Sequence, residues 1–169
     1  MISPDFIRTM AAYNAEMNRR IYAAAARLSD EERRAPRGAF WGSLHGTLAH
    51  LLWGDTMWMS RFAGWPKPQT RIKESGGFIG DFAALCAARE AADAGIGRWA
   101  GDVDEAWLAG DLVWLSGAAR REMRASKRLL VMHFFNHQTH HRGQAHALLT
   151  AAAEDPGDTD LFLVLSSAA

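Results

Sequence analysis

Apolar residues recur at intervals of three and four from the start of the chain: Phe6, Met10, Tyr13, Met17, Ile21, Ala24 and Leu28. Side chains so spaced share one face of an α-helix, which predicts an amphipathic helix over about residues 4–28. Ser3 followed by Pro4 supplies a capping residue and a proline at the first helical position. Ser29 and Glu32 match a capping box for a short turn, which Pro36 and Gly38 stop. The pattern resumes at Ser43, and Leu44, Leu48, Leu51, Leu52 and Met59 predict a second helix to about Phe62, ended by Gly64-Trp65-Pro66. The stretch from Pro66 to Gly80, rich in proline, glycine and charge, reads as a loop. Phe82, Leu85, Ala92, Ile96 and Trp99 then mark a third helix. Gly95 and Gly97 weaken it by about 1 kcal/mol each relative to alanine.

Residues 107–125 break the helical period. Leu112-Val113-Trp114-Leu115, Ser116-Gly117 and a polar run predict a short hairpin or extended detour. Ser126 caps a long final helix from about Lys127 to Ala153, and an apolar patch in the tail, Leu161 to Leu165, is expected to pack back on the body. Four principal helices with one long connection predict an all-α fold, a four-helix bundle. At 169 residues the chain is expected to form one domain over 1–169.

Composition narrows the function classes. Nineteen basic and nineteen acidic residues cancel, which disfavours nucleic acid or an anionic membrane as partner. The single cysteine, Cys86, excludes an intramolecular disulfide and a cysteine-cluster zinc site; its place beside Leu85 suggests an inert buried thiol. No apolar run approaches the ~18 residues of a membrane span. Asp5, Arg8 and Glu16 interrupt the N-terminus in a way a signal peptide would not tolerate. A soluble cytoplasmic domain is the expectation.

Chemistry concentrates in the histidines. Five of the seven lie between positions 133 and 146. His133, His137 and His141 are spaced by four, each step advancing about 40° around the helix. Neighbours at that spacing can place two imidazole nitrogens on one divalent ion. Three in a row drift by about 80°, so one of the outer two should line the pocket instead. A third ligand must come from another helix, and His45 and His50 are the candidates. They lie about 140° apart and cannot point the same way. His50 has the more suitable surroundings, with Gly46 and Gly54 four residues to either side. The chain has no HExxH, which excludes a zincin protease, and no Glu-x-x-His, which excludes the ferritin-like di-iron arrangement.

The stretch His133 to Gln144 (HFFNHQTHHRGQ) resembles the C-terminal signature of the DinB family of bacterial damage-inducible proteins. The run Gly42 to Asp55 (GSLHGTLAHLLWGD) is similar to that family's second-helix motif, and Asp155 to Leu161 (DPGDTDL) to its tail. The resemblance implies a four-helix bundle of up-down-down-up course. It also implies a divalent metal held by three histidines, which match His50, His137 and His141; zinc or nickel is expected first, with iron, manganese or copper as alternatives. His133 matches a position where many relatives also carry histidine. A homodimer is implied as well.

Three neutral imidazoles leave an ion its full charge and an open position, the layout of a catalytic site. Such an ion lowers the pKa of a bound water or deprotonates a thiol. The wider superfamily includes thiol-dependent transferases. The expected function is therefore a metal-dependent transferase or hydrolase acting on a small molecule, with a low-molecular-weight thiol as a candidate partner. The alternative is a non-catalytic metal-binding or stress-related interaction protein. His133 is the tentative catalytic residue, as a general base or as pocket lining. Asn136 and Gln144 are candidates to orient the imidazoles. Asp55 is expected to form a salt bridge across the bundle and Arg142 to pair with a carboxylate. Tyr13, Trp53, Met57 and Trp58 read as core, although the last three could wall a pocket.

Overall fold

A computed structural model describes residues 2–117 and 119–166. Four long helices dominate: α1 (Pro4–Ala26), α3 (Leu44–Phe62), α4 (Phe82–Asp102) and α6 (Lys127–Thr150). Two short helices, α2 (Asp30–Arg34) and α5 (Glu105–Leu108), and a 3-10 segment, Ile72–Gly77, lie between them. A terminal helix α7 (Leu161–Ser166) packs against α1. The detour before α6 is an antiparallel hairpin of β1 (Asp111–Ser116) and β2 (Arg121–Ser126), with Trp114 opposite Met123.

Local chemistry sets the helix starts. Ser3, Ser43, Asp81, Asp104 and Ser126 each accept a hydrogen bond from a first-turn amide of the helix they precede, satisfying donors that have no partner within the helix. Ser29 and Glu32 form the complete capping box of α2. The last helix ends at Thr150, a turn short of the expected Ala153, because the chain turns through Ala153 at a positive φ of 61°.

α1 packs on α4 and α6, and α3 on the same two helices. The core is divided in two. One cluster joins Ile7 and Ala11 of α1 to Met59 and Phe62, Ile96 and Trp99, and Leu130, Val131 and Phe134. The other joins Ile21 and Ala25 to Leu44, Leu48 and Leu52, Leu85, and Ala145, Leu148 and Leu149. Between them lie buried polar residues of α1, α3 and α6, namely Asn14 and Asn18, Asp55 and Gln138, and Arg89 joins them from α4.

This layer corrects the first half of the expected face of α1, while Met17, Ile21, Ala24 and Leu28 are buried as expected. The buried stripe runs through Ile7, Ala11, Asn14, Asn18, Ile21 and Ala25, whereas Phe6 is 38% exposed. Tyr13 is not core either: its hydroxyl donates to the Thr159 carbonyl at 2.6 Å, on the tail. Apolar periodicity misplaces that first half because Asn14 and Asn18 are buried by partners on other helices. In the tail patch Val164 is fully buried, while Phe162 is 68% exposed. No described helix is long and apolar enough to cross a membrane.

Candidate metal centre

His50 projects from the middle of α3, and His137 and His141 from the middle of α6, three side chains on two helices that pack together. One ligand nitrogen from each lies within 4.8 Å of the other two. The ring centroids are 4.5 Å apart for His50 and His141, 4.4 Å for His137 and His141, and 5.4 Å for His50 and His137. His50 and His141 are buried, and His137 is partly so.

The hydrogen bonds fix two of the tautomers. Ser75 donates its hydroxyl proton to the Ile72 carbonyl at 2.6 Å, so it accepts from His50 Nδ1–H at 2.7 Å. His141 Nδ1–H donates to Gln144 Oε1 at 2.7 Å. In both rings Nε2 is then left with its lone pair free. His137 Nδ1 is buried and has no hydrogen-bond partner among the described residues.

Burial keeps the rings neutral. Desolvation, then the neighbouring His141, pulls His50 down to about 3. Desolvation, then His141, His50 and His133, pulls His137 to about 3 as well. His141 is lowered by burial against the opposing bond to Gln144. A neutral imidazole is the form that binds a metal, so the donor set fits a divalent ion.

The two glycines around His50 have separate tasks. A Cβ on Gly54 would lie 2.6 Å from His137 Cε1, so the bare backbone makes room for that imidazole. A Cβ on Gly46 would lie 2.2 Å from the Trp41 carbonyl. Gly46 thus lets the loop before α3 close in, and the Trp41 indole stacks on His50 at 3.8 Å between centroids, with planes 17° apart. Trp53 stacks on the same imidazole at 5.8 Å, and its indole N–H is held by the Thr70 carbonyl.

Beneath the cluster runs the polar layer. Arg89 Nη1 donates to Asp55 Oδ2 at 2.6 Å, and Arg89 Nη2 pairs with Asp93 at 2.8 Å. Asn18 donates to Asp93, Gln138 donates to Asp55 Oδ1 at 2.9 Å, and Asn14 donates to Gln138. Burial raises both carboxyls, Asp93 to about 6, against the pull of Arg89. Asp55 adjoins Gly54 and Gln138 adjoins His137, so the network clamps α3 and α6 at the height of the histidines.

The remaining candidates separate clearly. His45 is buried but turned away, with Nε2–H donating to the Ile79 carbonyl at 2.9 Å. His133 is exposed, its ring 5.9 Å from that of His137 and 5.1 Å from Trp58. Asp55 makes the expected salt bridge, and Gln144 holds an imidazole. Asn136 is exposed and has no bond to one among those described. Arg142 departs from expectation. It has no carboxylate within ion-pair distance among the described residues; it reaches Thr139 Oγ1 at 3.5 Å and lies 5.5 Å from the Tyr13 ring centre. The nearby aspartates are already committed to Arg89, and burial lowers Arg142 to about 10. Cys86 is half-buried, its thiol pushed up by desolvation. Ser75, Trp41 and Arg89 were not singled out from sequence. Ser75 sits in a stretch read as plain loop, and nothing in its neighbours marks it.

Fold and cluster together define a helical bundle whose paired inner helices carry three histidines suited to a divalent metal. The DinB family model matches residues 1–168, and the chain belongs to the DinB family. No curated protein and no solved structure matches it.

Proposed function

We propose that His50, His137 and His141 hold a divalent metal ion, and that the protein is a metal-dependent transferase or hydrolase acting on a small molecule with a low-molecular-weight thiol as co-substrate. The observation that carries this reading is the convergence of three neutral imidazoles within 4.8 Å, two of them locked with Nε2 free. When bound, the ion supplies a Lewis acid with open coordination positions, able to lower the pKa of a water or thiol. The chain's own residues do the rest. Ser75 and Gln144 orient the ligands, Trp41 and Trp53 shield one side from solvent, and His133 stands beside His137 where it can accept a proton from a substrate. Zinc or nickel suits this all-imidazole set, as do iron and copper.

The same proposal takes in the up-down-down-up course. The two core clusters support it, since one gathers the starts of α1 and α6 with the ends of α3 and α4, and the other gathers the opposite ends. It includes a cytoplasmic homodimer, for which the exposed Leu129 and Met132 on α6 and Leu115 on β1 offer apolar surface. Elemental analysis of untagged protein tests the central claim. The expected result is close to one metal per chain, lost in His137→Ala with the fold retained. Metal-free protein that takes up none on titration with zinc, nickel, iron or copper overturns it.

A further inference from the structure

The face of α3 that carries His50 continues towards its C-terminal end. Arg61 follows His50 by eleven residues, three turns later and only about 20° away around the axis, and Trp58 lies between them along the helix, about 80° around from His50. From the cluster outward the side chains meet in sequence. His137 covers Gly54, His133 stands 5.9 Å from His137, and Trp58 stands 5.1 Å from His133. The Arg61 guanidinium lies 4.4 Å over the Trp58 ring and 5.8 Å from that of Trp114, which the hairpin brings in from β1. His50 and Arg61 are about 16 Å apart along the helix axis, and the guanidinium reaches back over Trp58, so a ligand that touches both the cation and the imidazoles is an elongated small molecule.

Arg61 is partly buried on tryptophan faces, yet no carboxylate lies within ion-pair distance of it among the described residues. Burial alone perturbs it, lowering its pKa with no acidic group compensating. The nearest acid of the hairpin's first strand by sequence, Asp111, is taken by Arg124 at 2.9 Å. Many other arginines are matched: Arg8, Arg19, Arg20, Arg27, Arg34, Arg89 and Arg128 each pair with an acid; Arg142, like Arg61, has none within ion-pair distance among the described residues, but it lies by Tyr13 and Thr139, away from the tryptophans. A guanidinium held flat by cation–π contact keeps its in-plane N–H donors free for an acceptor of matching fork shape. Neither the three imidazoles nor His133 offers a negative charge to balance it.

We propose that Arg61 is a specificity-determining residue that binds a carboxylate on the substrate whose reactive end lies at the three histidines. The proposal rests on the metal-centre reading above. The ligand class is thus a small acid with a soft or acidic donor at one end and a carboxylate at the other.

Cobalt(II)-loaded protein provides the test, with thiolate-to-cobalt absorption as the readout and cobalt content measured separately. The probes are 6-mercaptohexanoate and the uncharged 6-mercaptohexanol. The expected result is tenfold or greater preference for the carboxylate in the wild type, shrinking with added salt. Arg61→Gln should bind both thiols with the affinity of the uncharged one, at unchanged cobalt content, and Arg61→Lys should keep part of the preference. Equal binding of the two thiols by cobalt-loaded wild type overturns the proposal and leaves the metal centre standing. A preference that survives in Arg61→Gln also overturns it. Failure to take up cobalt or any other divalent ion overturns the metal centre and this proposal with it. The wild-type comparison and its salt dependence decide the matter even if the Gln variant does not fold.

Discussion

Ser75 shows how much a single hydroxyl settles. By giving its proton to Ile72 it becomes an acceptor only, and this turns the His50 imidazole into the tautomer with Nε2 bare. Partners of this kind usually account for 10–100-fold in metal affinity. Ser75→Ala is therefore expected to weaken zinc binding by that factor, read by competition with a chromophoric chelator, with little change in the melting temperature of metal-free protein. Unchanged affinity would remove Ser75 from the site. His45 makes a separate prediction. Burial holds its pKa below the ordinary 6.5 in the folded state, against the bond to Ile79. As pH falls below about 6.5, the unfolded chain takes up a proton that folded His45 still refuses, so stability declines with falling pH. His45→Gln, which keeps an N–H for Ile79 but no titrating ring, should lose less of its urea midpoint than wild type between pH 7.5 and 5.5. Parallel losses in the two metal-free proteins would show that His45 carries none of the effect.

At the scale of elements, the polar layer decides how α3 and α6 meet. Arg89 from α4 binds Asp55 of α3, Gln138 of α6 also binds Asp55, and Asn14 and Asn18 bring in α1. Each of the four long helices thus contributes a polar group at one level, and sliding any of them by a turn would leave a buried charge or amide without its partner. Arg89→Met leaves Asp55 and Asp93 buried without their cation and is expected to cost about 3–5 kcal/mol by urea unfolding. Its metal affinity should fall as well, because the register that brings His50 against His137 and His141 is no longer enforced. Loss of stability with full metal affinity would separate the network from the site. Glycine has an equally local task at the crossing: Gly54 admits the His137 ring, and Gly95 admits Trp65, whose ring carbons would stand 2.5 Å from an added Cβ.

At the scale of the molecule, charge cancels overall, yet Arg61 has no acid within ion-pair distance among the described residues. A metal that binds only the folded chain adds stability by mass action. At a thousandfold excess over its dissociation constant the gain is about 4 kcal/mol, a rise of roughly ten degrees in Tm for a chain of this size. Calorimetry with and without zinc should show that rise in the wild type and none in a His50→Ala, His137→Ala, His141→Ala triple variant. An equal rise in the triple variant would place the metal elsewhere.

The sequence by itself determined the four long helices, the short α2, the caps at Ser3, Ser29, Ser43 and Ser126, the hairpin and the histidine-bearing stretches, though not the short helices at 72–77, 105–108 and 161–166, because each of the former depends on interactions between residues a few positions apart. A capping box, a three-four repeat and an i,i+4 histidine pair are complete within one or two turns of chain. Tertiary structure alone decided the rest. The three-four repeat places Met17, Ile21, Ala24 and Leu28 correctly but misses that Ile7 and Ala11, not Phe6, face inward at the start of α1, where Asn14 and Asn18 are buried by partners over 70 residues away. Arg142 was expected to find a carboxylate, but Arg89 holds both nearby aspartates. Ser75 and Trp41 reach His50 from loops without periodic signal, and Arg61 gains its meaning from Trp114 on a distant hairpin. These are contacts between segments whose local sequence does not encode each other, so only the packing of the four long helices brings them onto one face.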